Sequence, residues 1–128
     1  MEARSKILVV DDDPLIREMI KIMFVEDPNH YEVLDAPDVG KGLDLAVDNL
    51  PHLIITDVLM PRLSGFDLIV AIRSNPLVQH IPILVCSAKQ PPVDRECLEM
   101  GANAYMSKPL QMDALLRKAK ELLGHSTA

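Results

Sequence analysis

Residues 6–14, KILVVDDDP, decide how this chain folds. Ile7 to Val10 form an unbroken apolar, β-branched-rich run, which reads as a strand of a parallel sheet covered on both faces. Asp11, Asp12 and Asp13 end the run. Pro14 suits the first position of a helix, where its missing N–H has no partner to lose, and Asp13 suits the N-cap before it. The opening unit is therefore strand, acidic turn, helix.

The same unit recurs along the chain. Residues 53–56 (LIIT) and 83–87 (ILVCS) read as buried strands, 104–107 (AYMS) as a weaker one, and 30–35 (HYEVLD), which alternates polar and apolar, as an edge strand. Between them lie helical patterns. Residues 14–25 set Leu15, Met19, Ile22 and Met23 on one face. Residues 39–50 carry Leu43, Ala46 and Leu50 but include two glycines, which soften that helix. Residues 64–73 hold Phe66, Ile69, Val70 and Arg73 in register, stopped by Pro76. Residues 93–100 end at Gly101, and 110–123 place Met112, Leu115, Leu116, Ala119, Leu122 and Leu123 on one stripe that ends at Gly124. Met100, Met106, Met112 and the methionines of the first helix read as packing residues. The pattern predicts an α/β, three-layer, doubly wound (βα)5 architecture with a parallel sheet in the order 2-1-3-4-5. A single domain covers residues 1–128, with its core at about 6–123 and a tail at 125–128. Ligands of such sheets bind where strands 1 and 3 end.

Composition limits the function. The 128 residues are 48% hydrophobic and 25% charged, enough for an apolar core without metal or disulfide staples. Thirteen basic against nineteen acidic residues give a net charge of -6, the wrong sign for gripping a polyanion, so direct nucleic-acid binding is not expected. The run 19–25 is broken by Lys21 and falls far short of the roughly 20 apolar residues of a membrane span. The opening MEARSKILVVDDD lacks the apolar core of a secretion signal, which points to the cytoplasm. Cys86 and Cys97 fit reduced thiols. His30, His52, His80 and His125 are scattered and fit the surface.

In the predicted topology Asp11, Asp12, Asp13 and Asp57 gather at one end of the sheet. A helix cap needs one of them, and crowding the others together costs several kcal/mol unless a cation offsets the repulsion. A hard divalent ion with oxygen ligands, Mg2+ first, answers that need. Strands 4 and 5 end at the same edge with Ser87 and Lys108. Acid, metal, hydroxyl and ammonium together suit phosphoryl transfer to a carboxylate.

ILVVDDDPLIREMI, LIITDVLMPRLSGFDLI, LVCSAK and GANAYMSKPL, in this order and spacing, resemble the receiver domain of two-component response regulators, the CheY-like family with its flavodoxin-like fold. The resemblance runs from about Lys6 to Leu123. It implies that Asp57 is the phosphoacceptor, taking a phosphoryl group from the phosphohistidine of a histidine kinase or histidine phosphotransfer protein. It further implies Mg2+ held by Asp11, Asp12, Asp57 and the backbone carbonyl of Leu59, with Lys108 on the phosphoryl oxygens. Ser87 and Tyr105 would be the switch pair, and a cis bond would join Lys108 to Pro109. The face built from strand 104–107 and helices 93–100 and 110–123 would then meet a downstream effector or output domain, or a second copy as a homodimer. Gly65 is expected to supply an unusual backbone angle.

Against the family pattern, Leu59 is apolar where many relatives carry a polar residue that helps orient the hydrolytic water, which predicts a long-lived phosphoryl group. Lys89 lies near the same water path. Ser87 replaces the commoner threonine but keeps the hydroxyl. Pro91 and Pro92 stiffen the loop that moves with Ser87. Two other functions compete: a phosphorylation-independent adaptor or dimerisation domain, and a phosphatase. Intact Asp11, Asp12, Asp57, Ser87 and Lys108 speak against the first, and Asp57-Val58-Leu59 lacks the second acid expected of the other.

Overall fold

The computed structural model describes residues 4–88 and 91–125; Lys89 and the last tail residues lie outside them. Five strands alternate with five helices: β1 (Lys6–Val10), α1 (Pro14–Glu26), β2 (Glu32–Ala36), α2 (Val39–Asn49), β3 (Leu53–Thr56), α3 (Gly65–Arg73), β4 (Ile83–Ser87), α4 (Val93–Met100), β5 (Ala104–Ser107) and α5 (Met112–Leu123). The sheet is parallel, in the order β2-β1-β3-β4-β5. Its register aligns Val10 with both Ala36 and Thr56, so β1, β2 and β3 finish together and deliver Asp11 and Asp57 to one edge.

Strand side chains divide the core by parity. Ile7, Val9, Leu53, Ile55, Leu84 and Cys86 pack with α1 and α5, whereas Leu8, Val10, Ile54, Ile83 and Val85 pack with α2, α3 and α4. Every residue of β1 from Ile7 onward, and all of β3 and β4, is buried, as unbroken hydrophobicity requires. Edge strand β2 is half-covered. No helix among the described residues is long and apolar enough to cross a membrane.

Several faces are rotated from the sequence expectation. Helix α1 is apolar on nearly every side, and it buries Ile20 and Phe24, with Ile16 and Met23 partly covered, while Leu15, Met19 and Ile22 are exposed. The winning stripe is the one that buries Phe24, a full aromatic side chain worth about 2–3 kcal/mol. In α3 the buried residues are Gly65, Leu68, Ile69 and Ile72, and Val70 faces out. Arg73 does turn inward: its guanidinium donates to the carbonyls of Gln79, Ile81 and Gly101 and to Asn103, knitting α3 to the turns around β4 and β5.

Termini of elements obey local chemistry. Asp13 caps α1 by accepting from the Leu15 N–H at 2.9 Å, with Pro14 in the first turn. Leu50 adopts the left-handed region and ends α2 one residue early. His30, at φ 52, closes the loop before β2, which starts at Glu32. Helix α5 begins at Met112 because Gln111 is its N-cap. Of the two glycines expected to soften α2, Gly42 has a packing role: a Cβ there would lie 2.8 Å from Val10 Cγ2, so glycine lets this helix approach β1. His125 is placed against the domain, stacked on Tyr31, with its Nδ1 2.7 Å from the tyrosine oxygen. Nearby, Lys120 pairs with buried Asp27 at 2.7 Å.

Candidate phosphoacceptor and cation site

Each acid at the sheet edge is set by the strand beneath it. The Asp57 N–H donates to the Val10 carbonyl (3.0 Å), and the Asp11 N–H donates to the Ala36 carbonyl (3.1 Å), so both residues continue the ladder one step past their strands. Asp57 Oδ1 accepts from the N–H groups of Val58 (2.6 Å) and Leu59 (3.2 Å). Asp11 Oδ1 accepts from the Asp13 N–H at 2.9 Å. The two remaining oxygens face a common cation: Lys108 Nζ lies 2.7 Å from Asp57 Oδ2 and 2.9 Å from Asp11 Oδ2. Lys108 reaches them from the end of β5, where its own N–H donates to the Ser87 carbonyl (2.9 Å).

The electrostatics follow from burial. Desolvation pushes the Asp11 carboxyl above its usual range, with the Asp13 N–H and Lys108 pulling the other way. Burial alone would lower Lys108, but its bonds to Asp57 and Asp11 outweigh that and hold it above the ordinary lysine value. Cys86, beneath the site, is pushed up to about 12 by burial and is an inert thiol. Asp12 is exposed, yet its carboxylate stands with those of Asp11 and Asp57, one oxygen from each lying within 4.8 Å of the others. Three carboxylates sharing one mouth form an all-oxygen donor set, which fits a hard divalent cation such as Mg2+.

Asp11, Asp12, Asp57 and Lys108 therefore come together as the sequence implied. Ser87 is fully buried at the end of β4, next to β3, and its carbonyl also accepts from the Tyr105 hydroxyl at 3.1 Å. Leu59 exposes 53% of its surface beside Asp57. The Lys108–Pro109 bond is cis. Gly65 corrects the expectation: it has no left-handed backbone angle and is required for space, because a Cβ there would overlap the Asp57 carbonyl oxygen and sit 2.9 Å from the Asp57 carbonyl carbon. Gly65→Ala is expected to destabilise the fold by about 2 kcal/mol or more, as overpacking against rigid backbone does, read as a lower urea midpoint at unchanged slope.

Four residues around the site, Thr56, Arg17, Asp35 and Lys21, went unread in the sequence. Thr56 Oγ1 donates to the Asp57 carbonyl at 2.9 Å. Arg17 donates to the Asp11 carbonyl through one terminal nitrogen (2.7 Å) and to Asp35 Oδ2 through Nε (2.8 Å), and Lys21 pairs with Asp35 Oδ1 at 2.9 Å. The available signal was topological: β2 neighbours β1 in the predicted order, so Asp35 had to end beside the first helix.

The description "response regulator receiver domain" matches residues 7–120. Response regulator MprA of Mycobacterium sp. (strain KMS) is 37% identical over 121 residues, which cover 92% of this chain and 50% of that protein. A 14.6 kDa protein of Leptolyngbya boryana is 34% identical over 120 residues, 93% of this chain and 90% of that one. A histidine kinase of Formosa agariphila carries a 35% identical stretch equal to 94% of this chain and 9% of the kinase. The chain thus spans half or less of several curated relatives it matches. Among solved structures, the chemotaxis protein CheY4 of Vibrio cholerae superposes with a TM-score of 0.86 at 30% identity, covering 94% of this chain and 99% of that one. The receiver domain of Francisella response regulator 1452 gives 0.85 at 30% identity, covering 94% and 98%.

Proposed function

The chain belongs to the response regulator receiver domain family of two-component systems, a signalling module, and from that we propose that it accepts a phosphoryl group on Asp57 from the phosphohistidine of a histidine kinase or histidine phosphotransfer protein. The observation that carries this reading is the Asp57–Lys108–Asp11 triad. A carboxylate at the end of a central strand has one oxygen held by two backbone N–H groups, and a lysine ammonium waits at the other.

In the proposed step a carboxylate oxygen of Asp57 attacks phosphorus, the P–N bond breaks, and the imidazole leaves with the electron pair and is protonated. Lys108, already between the two acids, turns its charge to the incoming phosphoryl oxygens, where negative charge concentrates. Asp11, Asp12, Asp57 and the Leu59 carbonyl would hold Mg2+, whose contribution when bound is positive charge at those same oxygens. Ser87 would turn its hydroxyl to the new acyl phosphate. Tyr105, packed half-buried on the sheet and bonded to the Ser87 backbone, would report that movement on the face formed by α4, β5 and α5. A cleft of about 780 Å³ lies on this face, lined by Ala88, Pro91, Val93, Tyr105, Lys108 and Ala114 among others. Occupants there are an effector, an output domain or a second copy. Cytoplasmic action without direct nucleic-acid contact belongs to the same reading, in keeping with the net charge of -6.

Intact-mass measurement after acetyl phosphate and Mg2+ tests it. One added phosphoryl group is expected, and none would favour the phosphorylation-independent adaptor. The Leu59 side chain has no polar atom to orient an attacking water, so the acyl phosphate should outlast the scale of seconds, and Leu59→Asn should shorten its decay time measurably. A wild-type decay within seconds would sink this expectation.

A further inference from the structure

We propose that Arg17 is a positioning residue of the cation and phosphoryl site: it fixes the peptide between Asp11 and Asp12 so that both carboxylates converge with Asp57. The inference rests on the receiver reading of that site. Arg17 sits one turn past the cap of α1, its N–H donating to the Asp13 carbonyl (3.2 Å), so its side chain reaches back over the strand ends. There every polar atom of Asp11 is engaged. Its N–H goes to Ala36, its Oδ1 takes the Asp13 N–H, its Oδ2 takes Lys108, and its carbonyl takes Arg17 at 2.7 Å.

That last bond sets the plane of the peptide on which Asp12 is mounted. Asp12 is exposed, so its place beside Asp11 and Asp57 depends on the peptide that carries it. Arg17 is itself held: Asp35 at the end of β2 accepts from its Nε, and the other oxygen of Asp35 pairs with the Lys21 ammonium. The Arg17 side chain is 17% exposed, which sets this link apart from a loose surface pair. The planar guanidinium serves two acceptors in different elements at once, a task a lysine ammonium on a flexible stem does not reproduce.

A second effect runs in the opposite direction and makes the test decisive. A guanidinium near a cation site repels the cation, and Asp35 neutralises part of that charge. If Arg17 acted only through charge, removing it would tighten Mg2+ binding. If it served only the fold, the melting temperature would fall and the folded protein would bind Mg2+ as before. Positioning alone predicts looser binding in a folded protein.

Mg2+ affinity is to be measured by calorimetry and by amide shifts in 15N-labelled full chain, for the wild type, Arg17→Ala, Arg17→Lys and Asp35→Asn, alongside melting curves without Mg2+. The expected result is Mg2+ affinity lowered about tenfold or more in both Arg17 variants, the low end for losing a group that orients a metal ligand. Asp35→Asn should move the same way, since Arg17 loses its anchor and keeps its charge. Unchanged or tighter binding in the Arg17 variants overturns the proposal, as does weakening confined to Asp35→Asn. Should Arg17→Ala fail to fold, Arg17→Lys and Asp35→Asn decide. A wild type that neither binds Mg2+ nor takes up phosphoryl from acetyl phosphate refutes the underlying reading as well; a competent wild type with unaffected Arg17 variants refutes only this one.

Discussion

Asp57→Asn is expected to take up no phosphoryl group from acetyl phosphate and Mg2+ under conditions where the wild type gains one. The amide nitrogen and carbonyl of asparagine are poor nucleophiles, so the step that forms the acyl phosphate has no equivalent. The loss should be complete, because the other acids at this edge have other work: Asp11 and Asp12 would hold the cation, and Asp13 is spent on the cap of α1. The fold should survive the exchange. Asparagine keeps an oxygen for the Val58 and Leu59 N–H groups, Lys108 keeps Asp11, and one of three crowded negative charges disappears. A melting temperature equal to or above that of the wild type, together with an unshifted intact mass, separates loss of the nucleophile from loss of structure. A phosphoryl group retained by Asp57→Asn would reject Asp57 as the acceptor.

How far the sequence carried the reading depends on what each feature needs. Strands β1, β3 and β4 were legible to the residue because burial on both faces leaves no polar interruption in ILVV, LIIT or ILVCS, whereas β5, a partly covered edge strand, gave a weaker signal at the same bounds. The order of strands, and with it the meeting of Asp11 with Asp57, followed from handed crossovers and the edge-like pattern of β2. Faces of helices were less legible. Helix α1 offers apolar residues all round, and only contact with the sheet selects Phe24 over Leu15. Gly65 was noticed and misread, because a glycine needed for close approach and one needed for its backbone angle look identical in sequence. Arg17 was missed for a related reason. Its acceptors are a backbone carbonyl and the end of another strand, and neither leaves a local pattern around residue 17.

Lys108→Met should produce a large stability change, and one whose pH and metal dependence are both fixed in sign. Lys108 is 18% exposed, and the side chains of Asp11 and Asp57 only 5% and 8%. Removing the cation leaves two buried carboxylates facing each other, which costs about 3 kcal/mol or more. In the wild type the lysine is held above its ordinary 10.5, so its contribution is complete below that value and fades as pH climbs through the folded-state value. In the variant the carboxylates carry the pH dependence. Asp11 already titrates above 3.8 through burial, and losing Lys108 raises it further, so the folded form binds more protons than the unfolded one. The deficit relative to the wild type therefore grows as pH rises from the wild type's own raised Asp11 value through the variant's still higher one and levels off above it. Mg2+ restores the missing positive charge, so it should stabilise the variant more than the wild type, where it competes with an ammonium already in place. Urea unfolding of both proteins at about pH 4 and about pH 8, each with and without Mg2+, reads all of this. A deficit equal at both pH values and indifferent to Mg2+ would mean that the charge of Lys108 is not what the two aspartates require.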